Sequence, residues 1–227
     1  MCIRDRVTSP AMWAVCGILI ASVLLCNKRN EERRECEQID SDSGMTGETL
    51  AGMLLKLEGL EDVQVQCMDF KQGDHYNSFE KTIYLSADTF HGGTIYALAS
   101  AAHQCGHAKQ HREDYCSMKV RSILVSVLSV ISFLGLLLFF AGIWNDCDKA
   151  TIQLALVMLV AVIVFQLLSL PMEFNASKRG MMILGQNDLL PAYEWKYFDK
   201  ALHAAALTYL ASNAQSADVI FRFFAKG

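Results

Sequence analysis

No two cysteines of this chain stand in a C-x-x-C arrangement, and the eight present (Cys2, Cys16, Cys26, Cys36, Cys67, Cys105, Cys116 and Cys147) keep no regular spacing. That argues against a disulfide scaffold and for membrane or reducing surroundings around most of these thiols. Basic charge is not in excess either. With a formal net charge of −4, the chain gives no reason to expect nucleic-acid binding. There are no internal repeats, which removes solenoids and propellers from consideration.

Charge is also missing from three long stretches. Pro10–Cys26, Val120–Trp144 and Ala150–Leu170 are apolar, with charged groups only at their ends. The second and third reach the roughly 20 residues that cross a bilayer core, and are read as a transmembrane hairpin over 120–171 rather than as buried helices of a soluble protein. The first is read as an N-terminal anchor, 7–26. A secretory signal has a similar length, but no small-residue cleavage site follows it. Lys28, Arg29, Arg33 and Arg34 follow the first run, Lys119 and Arg121 open the second, and Lys178 and Arg179 follow the third. The short Asn145–Lys149 connection is acidic on balance. The positive-inside rule then puts 27–119 and 172–227 in the cytoplasm and the 145–149 turn outside.

Against this background one segment carries chemistry. His103-Gln104-Cys105-Gly106-His107 places two histidines four apart, so on a helix both imidazoles face one way and can reach one zinc ion. In the H-E-x-x-H arrangement the intervening Glu is the general base. Gln104 occupies that place here, and a neutral amide does not accept a proton at any useful pH. Two histidines are too few for a catalytic zinc, which keeps three protein ligands and a water. His111 continues the same face, but lies about 12 Å from His103 along the axis at 1.5 Å rise per residue, too far to share one ion. Glu173 sits just past Pro171 at the end of an apolar run, where a charged group needs a reason to be. Ligand and simple interfacial residue are both open to it on these grounds. Cys105 falls about 200° around the helix from His103, the place of a packing thiol rather than a nucleophile. Gly106 suits a close approach by a neighbouring backbone or by substrate.

The segment Ser100–His111 resembles the core of the bacterial membrane-associated neutral zinc metallopeptidases, which read A-A-H-E-x-G-H-A-x-Q. Asp74-His-Tyr76, Ile83–Ser86 and His91-Gly92 resemble upstream segments of that family; Leu170–Arg179 is similar to its L-P-x-E-F-D-A-S-R-R, and Leu202–Tyr209 to its L-N-A-A-A-L-T-Y. The resemblance implies that Glu173 is the third ligand beside His103 and His107, that zinc is the cofactor and that the substrate is a peptide or protein. Two carboxylates of the pattern are replaced by amides: Gln104 for the base, and Asn175 for an Asp whose charge could orient a ligand. His75 and His91 lie near the motif in sequence, as substrate contacts or as structural residues.

The remaining pattern is a small mixed domain. Thr46 caps a helix with Leu50, Met53, Leu54 and Leu57 on one stripe and Gly59 as its stop. Val63–Met68 and Thr82–Ser86 read as strands, Asn77–Lys81 as a loop, and a second helix starts near Thr94. Pro191–Gly227 carries an amphipathic helix with Leu202, Ala205, Ala206 and Tyr209, and Val219–Phe224 suits the membrane interface. The expectation is thus a mixed α+β, mostly helical, polytopic protein of the cell membrane. Its segments are an anchor over 7–26, a zinc-peptidase-like domain over 27–119, a hairpin over 120–171 and a C-terminal helical segment over 172–227. The zinc site faces the cytoplasm at the bilayer surface. The expected activity is peptide-bond hydrolysis by zinc-activated water, impaired by Gln104. The alternative is an inactive zinc-binding relative that captures peptides or scaffolds partners.

Overall fold

A computed structural model describes residues 24, 27–68, 73–114, 117–145 and 148–207. The first apolar run (apart from Leu24), Tyr209 and Val219–Phe224 lie outside them. The elements, in chain order, are α1 (27–37), α2 (Gly47–Leu57), β1 (Gln64–Met68), β2 (His75–Asn77), β3 (Thr82–Ser86), α3 (Ala87–Phe90), α4 (Ile95–Arg112), α5 (Ser117–Trp144) and α6 (Lys149–Gln186). A 3-10 turn over Ala192–Glu194 leads into α7 (Trp195–Ala206). The chain divides into two compact units, one containing Leu124–Leu168, the other Arg29–Ile123 with Ser169–Thr208.

In the first unit α5 and α6 run antiparallel. A Cβ on Gly142 would stand 2.8 Å from the Ile152 side chain, and one on Gly135 3.4 Å from that of Met158, so small residues set the close approach. Asp148 starts α6 by accepting from Thr151 N at 3.1 Å. The outer faces are apolar: Phe133 is 61% exposed, Val157 66% and Leu168 72%. Among the described residues one helix, Lys149–Gln186, is long and apolar enough to cross a membrane, and Val130–Gly142 is a shorter apolar stretch. The helix does not stop at the end of its apolar run. It passes through Pro171 to Gln186, although an interior proline costs about 3 kcal/mol. Burial of Met172, Ala176, Ile183 and Leu184 offsets that cost.

The second unit is built around α4, of whose residues all but Lys109, His111 and Arg112 are buried. Thr94 caps it, accepting from Ala97 N at 3.2 Å. A helix buried all round shows no amphipathic stripe, and its alanines let α2 and α7 lie close. The sheet order is β1-β3-β2, with β1 parallel and β2 antiparallel to β3. Strand β2 is a correction to the sequence reading. Three residues are too few to show an alternating pattern, and β2 exists because the turn over Asn77–Lys81 folds it onto β3. Asn77 Oδ1 accepts from Phe79 N at 3.0 Å, and Lys81 takes φ +48°.

The stripe on α2 is also corrected. The expected capping at Thr46 and the positive φ at Gly59 (+64°) are both present. However, Met53 and Leu57 are 42% and 49% exposed, and Ala51 and Leu55 are buried in their stead. The buried face is chosen by what it must touch: Gly47 sits directly on the Thr89 carbonyl, and Leu50, Ala51, Leu54 and Leu55 are buried on the same side of the helix.

Cys36, Cys67 and Cys105 are free thiols, the first and last buried. Burial pushes Cys36 up to about 11 and Cys105 higher still, so both are protonated at neutral pH. For Cys36, whose folded value lies above the ordinary thiol range, the stabilising contribution is present below that range and is lost as pH rises through about 11.

Two glycine substitutions should separate packing from propensity. A Cβ on Gly106 would lie 2.1 Å from the Ala176 carbonyl oxygen, whereas Gly52 on α2 meets nothing within 4 Å. Gly106→Ala is expected to lower stability by about 1–3 kcal/mol. Gly52→Ala should raise it by about 0.5–1 kcal/mol. Thermal unfolding in detergent micelles reads both.

Candidate metal centre

Helices α4 and α6 cross antiparallel at contact distance. Gly106 faces the backbone of Ala176, and Gly180 that of Ala102, where an added Cβ would stand 2.6 Å from the carbonyl oxygen. Each pair repeats at four residues, one turn along each helix, so the two backbones touch along a row. Next to that row His103 and His107 on α4 meet Glu173 and Ser177 on α6.

The Nε2 atoms of His103 and His107 lie 3.3 and 3.2 Å from Glu173 Oε2. All three residues are buried, and their candidate ligand atoms fall within 4.8 Å of one another. The rings stand 4.6 Å apart and nearly perpendicular. Each Nδ1 is occupied elsewhere. His103 Nδ1 meets Ser177 Oγ at 2.9 Å, and Ser177 spends its single hydroxyl hydrogen on Leu202 O at 3.1 Å, so Oγ accepts and Nδ1 carries the proton. His107 Nδ1 meets Gln110 Oε1 at 3.0 Å, which can only accept. With Nδ1 protonated in both rings, a neutral imidazole at either position presents its Nε2 electron pair to the carboxylate.

Three acceptors aimed at one buried volume repel one another unless a proton or cation lies among them. The donor set fits zinc. A tetrahedral zinc with arms of about 2.0–2.1 Å needs neighbouring ligand atoms about 3.3 Å apart, the separation found between each imidazole Nε2 and Glu173 Oε2. Two imidazoles and one carboxylate are also the number that leaves a coordination position open.

Gln104 is buried beside the pair, and its Nε2 donates to the Asp74 carbonyl oxygen at 3.3 Å. At the place of the family's base this amide would be the group to orient a water or substrate, yet here it ties α4 to the loop before β2. Asp74 is itself a hub, its carboxylate accepting from Ser86 N at 2.7 Å, Thr89 Oγ1 at 2.7 Å and Ser100 Oγ at 2.5 Å. His75 and His91 are not brought to the cluster. His75 stacks on Tyr84 and bonds Gly73 O at 3.0 Å, and His91 packs edge-on against Phe90. His111 Nδ1 pairs with Tyr76 Oη at 2.9 Å, and burial pushes that phenol up to about 12, so it keeps its proton at neutral pH. Cys105 faces α2 and donates to Ala51 O at 3.7 Å.

Three residues that hold the cluster are not singled out by the sequence reading: Ser177, Gln110 and Asp74. A signal exists for the first two. Ser177 stands four residues beyond Glu173, as His107 does beyond His103, and Gln110 three beyond His107, so each shares a helix face with a ligand. Asp74 acts across loops and leaves no such trace. Asn175, expected to lack an orienting charge, takes part through hydrogen bonding instead. Its Oδ1 accepts from Gln110 Nε2 at 2.8 Å, and Gln110 also donates to Met172 O at 3.0 Å.

A family model described as "Putative neutral zinc metallopeptidase" matches residues 11–226. Among curated proteins, the chain is 34% identical over 186 residues to one named "Putative membrane protease YugP" of Bacillus subtilis (strain 168), covering 82% of each. No solved structure matches.

His103→Ala should abolish stoichiometric zinc binding, read by elemental analysis of protein purified in detergent. Ser177→Ala leaves all three donors in place but frees the His103 ring. It should weaken zinc about 10–100-fold in a chelator competition while the far-UV circular dichroism stays unchanged.

Proposed function

The chain belongs to the neutral zinc metallopeptidase family, and from that premise we propose that it is a membrane-bound peptidase, its zinc held by His103, His107 and Glu173 and its turnover impaired at Gln104. The observation that carries this reading is the convergence of three buried donors with both imidazoles oriented through Nδ1. A zinc ion in such a setting supplies a Lewis acid for the scissile carbonyl and lowers the pKa of the water it binds. Ser177 and Gln110 keep the rings turned, so ligand geometry costs no reorganisation when substrate arrives.

What the chain lacks is a proton acceptor next to His103. An amide at 104 neither takes the proton of the attacking water nor returns one to the leaving amine. Loss of such help costs about 10²–10⁴-fold in rate. The bond from Gln104 Nε2 to Asp74 O favours a second reading as well. A residue used as a donor to the scaffold fits a protein that has kept zinc and peptide binding without hydrolysis, as a capture or scaffold protein.

The membrane assignment rests on the apolar outer faces of α5 and α6 and on the relative's name. The topology we favour is multi-pass: an anchor over 7–26, a hairpin over 120–171, and the segments 27–119 and 172–227 in the cytoplasm with the zinc site.

Gln104→Glu exchanges the Asp74 tie for a carboxylate. Its cleavage of unstructured peptides is expected to exceed that of the unaltered chain by about 10²–10⁴-fold. No gain, with zinc content kept, would count against an impaired peptidase. Chelator-sensitive cleavage by the unaltered chain would remove the capture reading. Topology is tested with a membrane-impermeant maleimide on intact cells, sites being assigned by mass spectrometry. Cys147 in the outer turn should be labelled from outside, and the exposed Cys67 only after permeabilisation. The opposite pattern would invert the topology.

A further inference from the structure

The hydrogen-bond chain behind His107 does not end at Gln110. Asn175 Oδ1 accepts from Gln110 Nε2 at 2.8 Å and from Arg179 Nε at 2.7 Å, and the Arg179 guanidinium pairs with Glu113. Two groups with a single role fix the direction of the links, the Arg179 guanidinium and the Met172 carbonyl. Arginine has only donors and does not lose its proton, so the Asn175 atom facing it is the amide oxygen. That oxygen requires a donor from Gln110, which turns Gln110 so that its Nε2 faces Asn175 and Met172 O. Gln110 Oε1 is then left facing His107, where it accepts from Nδ1–H at 3.0 Å.

We propose that Arg179, half a turn past Ser177 and not itself a ligand of the zinc site, is a positioning residue that acts with the Met172 carbonyl to set which nitrogen of His107 is offered to the metal. The proposal rests on the assignment of His103, His107 and Glu173 as ligands. Asparagine and glutamine amides can be turned in two orientations, so such a chain takes its direction from its partners, here Met172 O on Gln110 and Arg179 on Asn175. Reversing both amides would present Gln110 NH2 to His107, shift the ring proton to Nε2 and withdraw the electron pair from Glu173. An aspartate at 175 would need no such help, because both its oxygens accept. In this chain the Asn at 175 takes its orientation from Arg179, and the ion pair with Glu113, at the C-terminal end of α4, holds Arg179 in place.

The test uses full-length, zinc-free protein in detergent micelles, with histidine ring nitrogens observed by NMR, and zinc affinity measured by chelator competition. In the unaltered chain His107 should show its proton on Nδ1. Arg179→Met should give a mixture with Nε2–H and weaken zinc about 10–100-fold. Adding Asn175→Asp to Arg179→Met should restore the Nδ1–H form and bring the affinity back to within a few-fold, a rescue that loss of mere packing would not show. Should Arg179→Met fail to fold, Asn175→Leu cuts the same link from the acceptor side and should show the same mixture and the same loss. An unchanged His107 tautomer and zinc affinity in whichever variant folds would overturn the proposal, as would a double variant that is not rescued. If the unaltered chain bound no zinc, the ligand assignment would fall, while the ring-nitrogen signals would still decide the role of Arg179.

Discussion

The site depends on two helix backbones lying in contact. Gly106 against Ala176 and Gly180 against Ala102 remove the side chains that would otherwise hold α4 and α6 apart. Only at that distance do the short side chain of Glu173 and the imidazoles of His103 and His107 meet, and only then does Ser177 reach His103. Backbone contact of this kind also explains why α4 is rich in alanine and carries no apolar stripe. It is surrounded, and each neighbour lies close to it.

That contact creates an electrostatic problem which the surrounding polar groups resolve. Placing a carboxylate and two imidazole electron pairs together in a buried volume is unfavourable without a cation, and proteins retain such arrangements where a metal compensates. The groups around the trio are arranged to keep it in that state. Ser177 and Gln110 each accept from the Nδ1–H of one ring and so turn its Nε2 towards Glu173, and Asn175 and Met172 O hold Gln110. Tethering of this sort runs through hydrogen bonds whose direction is fixed by groups with a single role: a hydroxyl with one hydrogen, a guanidinium with no acceptor.

The two amides that distinguish this chain from the family pattern differ in consequence. Asn175 still accepts two hydrogen bonds through one oxygen, so the function of that position in holding His107 survives the change. Gln104 gains a bond to Asp74 O that a carboxylate would not make, and loses the capacity to take a proton. Burial of Gln104 makes its exchange matter, since no solvent stands in there for a missing acceptor.

Much of the centre was legible in the chain. The H-x-x-x-H spacing places two imidazoles on one face because a helix repeats near every fourth residue, and the caps at Thr46 and Thr94 are local chemistry between neighbours. Helices α2 and α4 and strands β1 and β3 appear where the pattern put them. The three-residue strand β2 did not, because its existence depends on a partner rather than on its own sequence. Neither did the rotation of α2, which exposes Met53 and Leu57. For Glu173 the residues alone left ligand and interfacial group open, and the resemblance singled it out. Local spacing thus determined which side chains could share a face. The fold decided which faces would meet, since contact between residues some seventy positions apart is set by the packing of two backbones and not by anything either segment encodes alone.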